Sequence, residues 1–114
     1  MSAVTNQESH GQAGAIGQVT PYGRPLGSTQ LIPGTARGMA AKLGIDYRPD
    51  LLTGTGPDAA AYQQQLGAAY LHEGMSKTDN LYDALRYYHA GPNRALWGPK
   101  TKAYADAIYS RLMS

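Results

Sequence analysis

The sequence predicts a mainly α-helical protein that forms a single domain over residues 1–114. Apolar residues recur with the i, i+3, i+4, i+7 spacing of a helix in four segments after residue 32. Glycine or proline stands at the ends of these segments, and no stretch has the length and alternation of a convincing strand. The chain has 114 residues, 42% of them apolar, which is enough for one hydrophobic core and too little for two.

The first two predicted helices are delimited by proline and glycine. One begins at Pro33 and ends at Gly44, and the other begins near Pro57 and ends at Gly74. Proline suits the first turn because its missing N–H has no helical partner there, and glycine readily takes the left-handed conformation that follows a helix. The residues expected to face the core are Ala36, Met39, Ala40 and Leu43 in the first helix and Tyr62, Leu66, Ala69 and Tyr70 in the second.

The third and fourth predicted helices lie in the C-terminal part of the chain. Asn80 is expected to cap the third, with Asp83 three residues later in the manner of a capping box, and Gly91-Pro92 to end it. The fourth follows Pro99. The expected inward faces are Leu81, Ala84, Leu85 and Tyr88 in the third helix and Thr101, Tyr104, Ala105, Ile108 and Leu112 in the fourth.

Residues 10–34 are predicted to form a long loop, because nine of these twenty-five residues are glycine or proline and no period is visible. Loops of this length in a small domain are usually either functional or disordered. Ahead of the loop, residues 3–7 have the length of about two helical turns, and Glu8 follows them at the junction.

The composition excludes several classes of site. There is no cysteine, hence no disulfide scaffold, thiolate zinc site or cysteine nucleophile. The three histidines match no metal-ligand spacing, and we expect neither a metal nor a cofactor. The net charge of +2 gives no support for nucleic-acid binding, and no apolar run is long enough to span a membrane. The first twenty residues lack the pattern of a secretory signal.

The carboxylates are few, and most have a structural interpretation. Asp58, Asp79 and Asp83 stand at helix starts, where an anion offsets the helix dipole, and Asp46, Asp50 and Asp106 occupy ordinary solvated positions. Glu73 is expected to be exposed in the last turn before Gly74, an unfavourable place for an anion that a functional role would also explain. Glu8 could act as a general acid at a helix-to-loop junction, but its position alone favours an exposed terminal residue.

Four short motifs occur in the order and at the spacing of a known family. They are Glu8-Ser9, then Gly27-Ser28-Thr29-Gln30 running into Pro33-Gly34-Thr35-Ala36, then Gly67-Ala68-Ala69-Tyr70-Leu71, then Tyr88-His89-Ala90-Gly91-Pro92. Together they resemble the soluble lytic transglycosylase (SLT) family over residues 7–110. The resemblance implies a lysozyme-like helical domain, as in goose-type lysozyme, with the glycine-rich loop lining the substrate groove.

The resemblance also implies an activity. The family cleaves the β-1,4 bond between N-acetylmuramic acid (MurNAc) and N-acetylglucosamine (GlcNAc) in peptidoglycan and leaves a 1,6-anhydro-MurNAc product. Glu8 would then be the sole acid/base, and peptidoglycan glycan strands would be the partner. An intramolecular nucleophile makes the second carboxylate of ordinary glycosidases dispensable.

The substrate-binding residues implied by the same motifs are Ser9, Ser28, Thr29, Gln30, Tyr88 and His89. The resemblance implies that Tyr88 faces Glu8 and helps to orient it, although Tyr88 also lies on the apolar stripe of its predicted helix and could be a core residue. Ser9 could equally make a hydrogen bond at a helix end. The sequence departs from the family pattern at Ser28-Thr29, where Leu-Met is usual, and at His89, where Asn is usual. Because histidine can gain charge near neutral pH, His89 predicts a pH-dependent subsite.

Only seven residues precede Glu8, fewer than is usual in the family. We therefore expect either a short variant that packs differently or a domain cut from a larger protein. We expect it to act on cell-wall peptidoglycan, delivered by a bacteriophage virion protein or by secretion machinery, with the phage origin favoured. Two alternatives stay open. One is a lysozyme-type hydrolase with Asp46 or Asp50 as second carboxylate, and the other is a non-catalytic peptidoglycan-binding module.

Overall fold

A computed structural model describes residues 2–18, 20 and 23–113, with the side chain of residue 2 excepted. This part of the chain is mainly helical and contains no strand, which confirms the predicted fold class. Its elements, in order, are α1 (Ser2–Ser9), α2 (Pro33–Leu43), α3 (Pro49–Leu52), α4 (Pro57–Lys77), α5 (Leu81–Ala90), a 3-10 turn (Arg94–Leu96) and α6 (Pro99–Met113). No helix in these ranges is long and apolar enough to cross a membrane.

The chain forms two compact units, Met1–Ala69 and Tyr70–Ser114, and the boundary falls inside α4. The buried apolar side chains of the first unit include Val4, Leu31, Met39, Leu52 and Leu66, and those of the second include Leu85, Tyr88, Tyr104 and Ile108. The single domain over residues 1–114 stays a prediction.

The predicted helix boundaries are confirmed where they rest on caps. Gly44 takes the left-handed conformation with φ 70° and its N–H donates to the carbonyl groups of the last turn of α2. The Asn80 side chain caps α5 by accepting from the Asp83 N–H at 2.8 Å. Capping depends on residues within one turn of each other, which the sequence displays directly.

Two residues predicted to face the core are exposed. Leu43 in the last turn of α2 is 41% exposed and Leu112 in the last turn of α6 is 51% exposed. The helical period identifies the face on which each lies, but the core ends before the helix does. These two predictions are therefore wrong.

Gly74 does not end the second predicted helix, because α4 continues to Lys77. A Cβ at this position would lie 3.1 Å from the Ala84 carbonyl oxygen and 3.1 Å from the Tyr87 ring. The glycine therefore allows α5 to approach the backbone of α4 closely, a requirement that a sequence cannot distinguish from a helix stop.

The loop over residues 10–34 has no helix or strand in its described part up to the start of α2, yet it is folded. Isolated antiparallel bridges join Ile16 to Leu26, Thr20 to Gly23 and Leu26 to Leu31. The loop also packs on α4, where a Cβ at Gly67 would come within 2.5–2.9 Å of the Thr29 side chain. The glycine in the Gly67-to-Leu71 motif therefore makes room for the loop.

Candidate active site

Glu8 is the second-to-last residue of α1 and is half-buried. The helix predicted over residues 3–7 is confirmed and continues to Ser9. Immediately after it, His10 and Gly11 both take left-handed conformations, with φ 56° and 81°. The chain therefore turns sharply from the helix into the glycine-rich loop, and Glu8 lies at this turn.

Ser9 fastens the end of α1 to the loop. Its side chain is buried, and its Oγ lies 2.6 Å from the Ser28 carbonyl oxygen and 3.1 Å from that of Thr5. A second link comes from α4, where the Gln64 amide donates to the Thr5 hydroxyl at 2.8 Å. The helix that carries Glu8 is thus bonded to both the loop and α4, which restricts where the carboxyl group can move.

Ser28 and Thr29 are buried, with 2% and 1% of their surfaces exposed. The Ser28 N–H donates to the Gln63 side-chain oxygen at 2.8 Å, and the Thr29 hydroxyl donates to the Gln63 carbonyl oxygen at 3.0 Å. Both residues therefore have structural contacts that hold the loop on α4. Their contact with substrate stays a prediction.

Gln30 has the left-handed conformation, with φ 54°, which is uncommon for a residue with a side chain. Its amide nitrogen donates to the carbonyl oxygens of Gly27 at 2.8 Å and Ala15 at 3.1 Å. Strain of this kind persists where the surroundings enforce it, and it concentrates at functional sites. The structure brings Ser28 against Ser9, the residue after Glu8, and Thr29 and Gln30 follow Ser28 in the same loop of the first unit.

The Gln63 side chain links the glycine-rich loop to α3 and the segment that follows it, a role that the sequence analysis did not predict. Its side chain is 1% exposed. The amide oxygen accepts from the N–H groups of Gly14 at 3.1 Å and Ser28 at 2.8 Å, and the amide nitrogen donates to the carbonyl oxygens of Leu51 at 2.9 Å and Gly54 at 3.0 Å. One signal in the sequence could have indicated this role: Gln63 lies on the same face of α4 as the apolar residues Leu66 and Tyr70. A glutamine on a buried face must bond to other polar groups, because a buried amide without partners is unfavourable.

Tyr88 lies in the second unit and is 5% exposed. Its ring packs 5.2 Å from that of Tyr70, which in turn lies 5.7 Å from the ring of Tyr87. The prediction that Tyr88 belongs to the inward stripe of α5 is confirmed. The role of its hydroxyl group in orienting Glu8 stays a prediction.

Glu73 is half-buried rather than exposed. Because α4 runs one turn further than predicted, Glu73 lies beside α5, where its Oε2 accepts from the Tyr87 hydroxyl at 2.7 Å. The expectation of an exposed residue at a helix end is wrong for this reason. The contact joins two helices of the second unit through one carboxylate.

His89 stands at the end of α5, with its Nδ1 2.9 Å from the Thr101 hydroxyl and its ring stacked 4.5 Å from that of Tyr104. Partial desolvation lowers the pKa of His89 below its ordinary value of 6.5, although part of the side chain is exposed. The neutral imidazole is therefore favoured in the fold, and any protonation-dependent substrate binding at this residue moves to lower pH than the sequence alone suggests.

The lowered pKa predicts how stability responds to acid. Below pH 6.5 the unfolded chain takes up a proton at His89 more readily than the folded chain, so the free energy of unfolding should fall as the pH falls. We expect the His89→Asn variant to show a shallower loss of Tm between pH 7 and pH 5. His72→Asn, at an exposed position of α4, is the matched control. If Tm fell equally steeply with pH in wild type and in His89→Asn, the lowered pKa of His89 would be contradicted.

Comparison with known proteins identifies the class of this helical domain. The family described as "Transglycosylase SLT domain" matches residues 1–110, and the chain belongs to that family. A protein named "Transglycosylase" from Enterobacteria phage PRD1 is 33% identical over 87 residues, which cover 76% of this chain. The match spans 28% of that relative's length. No solved structure matches the chain significantly. The resemblance seen in the four motifs is thereby confirmed.

Proposed function

We propose that the chain is a peptidoglycan lytic transglycosylase that cleaves the MurNAc-β-1,4-GlcNAc bond and uses Glu8 as its sole acid/base. Membership of the SLT family supports the class of reaction. The observation that carries the choice of residue is the position of Glu8, half-buried at the end of a helix that Ser9 bonds to the Ser28 carbonyl group at 2.6 Å. A catalytic carboxyl group needs such a fixed support.

One carboxyl group suffices for this reaction. Protonated Glu8 donates its proton to the glycosidic oxygen, the bond from that oxygen to MurNAc C1 breaks, and the GlcNAc hydroxyl leaves. The C6 hydroxyl of the same MurNAc attacks C1 and gives up its proton to the Glu8 carboxylate. The 1,6-anhydro ring forms, the acid is regenerated and no water is consumed.

Hydrolysis with a second carboxylate is the less favoured alternative. Ordinary glycosidases place two carboxyl groups on either side of the bond. Asp50, one of the two candidates, is held by Arg48 through hydrogen bonds of 3.1 and 2.8 Å, and the bond from Arg48 is the first cause that lowers the Asp50 pKa. Asp46 is exposed. The contacts of Asp50 support a structural role on the surface.

The substrate-binding residues are proposed from the family motifs in which they occur. Gln30 and the backbone of Ser28 and Thr29 would form the wall of the groove beside Glu8. Ser9 would act by holding the Glu8 helix. Tyr88 would orient the carboxyl group and His89 would contact a sugar at a neighbouring subsite.

We propose that the chain acts on cell-wall peptidoglycan. We also propose that it forms part of a larger bacteriophage protein. The named relative comes from a phage and extends well beyond the matched 28% of its length, which supports a catalytic domain of residues 1–114 inside a longer virion component. Secretion machinery is the alternative carrier, because it too needs a compact domain that opens the cell wall.

Mass spectrometry of the soluble products from purified sacculi tests the proposal. Muropeptides that end in 1,6-anhydro-MurNAc, lighter by one water than the reducing form, are the expected result. Reducing ends would indicate a lysozyme-type hydrolase instead. Binding to sacculi without release of any fragment would indicate a non-catalytic module.

A further inference from the structure

The second unit contains a cluster of two arginines on a tryptophan that the proposed reaction does not use. Trp97 follows the 3-10 turn, and the guanidinium carbons of Arg94 and Arg86 lie 4.7 and 5.0 Å from its ring centroid. The indole N–H donates to the Gly91 carbonyl oxygen at 2.9 Å, which fixes the ring at the end of α5. Cation–π contacts of this kind orient a guanidinium without using its hydrogen-bond donors.

Two parts of this cluster, the Arg86 Nε and the Arg94 guanidinium, lack a close hydrogen-bond acceptor in the described part of the chain. The buried Nε of Arg86 has no hydrogen-bond partner among the residues that the structure describes. The Arg94 side chain is 59% exposed, and its contact with the Asp83 carboxylate, at 4.0 Å, is longer than a hydrogen bond. Arg48, by contrast, is fully paired with a carboxylate, since its two hydrogen bonds to Asp50 are 3.1 and 2.8 Å long.

The two nearby carboxylates, Asp83 and Asp106, already accept hydrogen bonds from other side chains. The Asp106 carboxylate accepts from Lys102 at 2.8 Å and from the Tyr82 hydroxyl at 2.6 Å, and these bonds are the main causes that lower the Asp106 pKa. Asp83 accepts from the Asn80 amide at 3.3 Å. Asp106 also interacts electrostatically with Arg86, and the Arg86 Nε is buried, so the donors that remain for a ligand are those of the exposed Arg94 guanidinium.

We propose that Arg86, Trp97 and Arg94 bind carboxylate groups of the peptides attached to peptidoglycan strands. A guanidinium is a planar fork of donors that matches the two oxygens of a carboxylate. Arg94 lies two residues after Gly91-Pro92, the end of the motif that carries Tyr88 and His89. The inference rests on the proposed function for the identity of the polymer, and it adds a preference for strands that keep their peptides.

Intrinsic fluorescence gives a direct test, because Trp97 is the only tryptophan in the sequence. The chain is titrated with soluble disaccharide-peptides whose carboxylates are free and, separately, with the same compounds after amidation of those carboxylates. A saturable change in emission with the acidic compounds alone is expected. Arg94→Gln should weaken this binding by at least about tenfold, the size expected for losing a hydrogen bond to a charged group.

Arg37→Gln is the matched control, since Arg37 lies over the Tyr47 ring at 5.1 Å in the first unit and should bind as wild type does. Equal affinity for the amidated compounds, no saturable change with the acidic ones, or wild-type affinity in Arg94→Gln would overturn the proposal. An equal response to inorganic phosphate alone would overturn it in favour of a general anion site. The titration needs no turnover, so failure of the transglycosylase reaction would be seen separately in the product analysis.

Discussion

Replacing Glu8 by Gln is expected to lower the rate of glycan cleavage by about a hundredfold to ten-thousandfold, the usual contribution of a general acid. Glutamine keeps the shape of the side chain but has no acidic proton to give to the glycosidic oxygen. Because the proposed reaction has no other acid/base, no second carboxyl group can take over. The rate is measured as the release of soluble muropeptides from sacculi under first-order conditions.

Two controls separate chemistry from folding in this experiment. Glu73→Gln removes the other glutamate of the sequence, and its amide oxygen can still accept from Tyr87, so cleavage should continue near the wild-type rate. Glu8→Gln should also retain its affinity for sacculi and its thermal transition. Near-wild-type release by Glu8→Gln would refute the proposed role of this residue.

Gln63→Ala is expected to reduce the free energy of unfolding by about 3–5 kcal/mol. The substitution removes the partners of the Gly14 and Ser28 N–H groups and of the Leu51 and Gly54 carbonyl groups. Each buried polar group left without a partner costs about 1–3 kcal/mol, with part of the sum recovered as the loop relaxes toward water. Urea denaturation monitored by circular dichroism measures the change.

Gln65→Ala provides the matched control, because Gln65 lies two residues further along α4 and is exposed. Its free energy of unfolding should stay within about 0.5 kcal/mol of wild type. Since Gln63 also holds the segment from Ser28 to Gln30, Gln63→Ala should lose cleavage activity at temperatures where the helices persist. A loss of stability no larger than that of Gln65→Ala would show that the loop is held by other contacts.

The helices with local signals were predictable. Asn80 caps α5, Gly91 ends it, and Gly44 ends α2, because each signal acts on backbone groups within one turn. The short helix α3 and the 3-10 turn after Asn93 were not predicted, since four and three residues are too few to display a period.

The candidate site was predictable in part. The motifs indicated the family, which the family match confirms, and the helix that carries Glu8 has the expected place. The catalytic role of Glu8 stays a prediction. The environment of Glu73 was not predictable, because it depends on α5 approaching α4 over Gly74. The Arg86–Trp97–Arg94 cluster likewise depends on a turn that brings residues 86 and 97 together.

The sequence by itself determined the helical class, the caps and the family, since helical periodicity, capping and short motifs are properties of neighbouring residues. Only the tertiary structure decided which polar side chains are buried and what they bind. Gln63 reaches Gly14 across 49 positions of the chain, and Ser9 reaches Ser28 across 19. Such hydrogen bonds are specified by where the folded backbone places each donor and acceptor, and residue spacing carries no record of that placement.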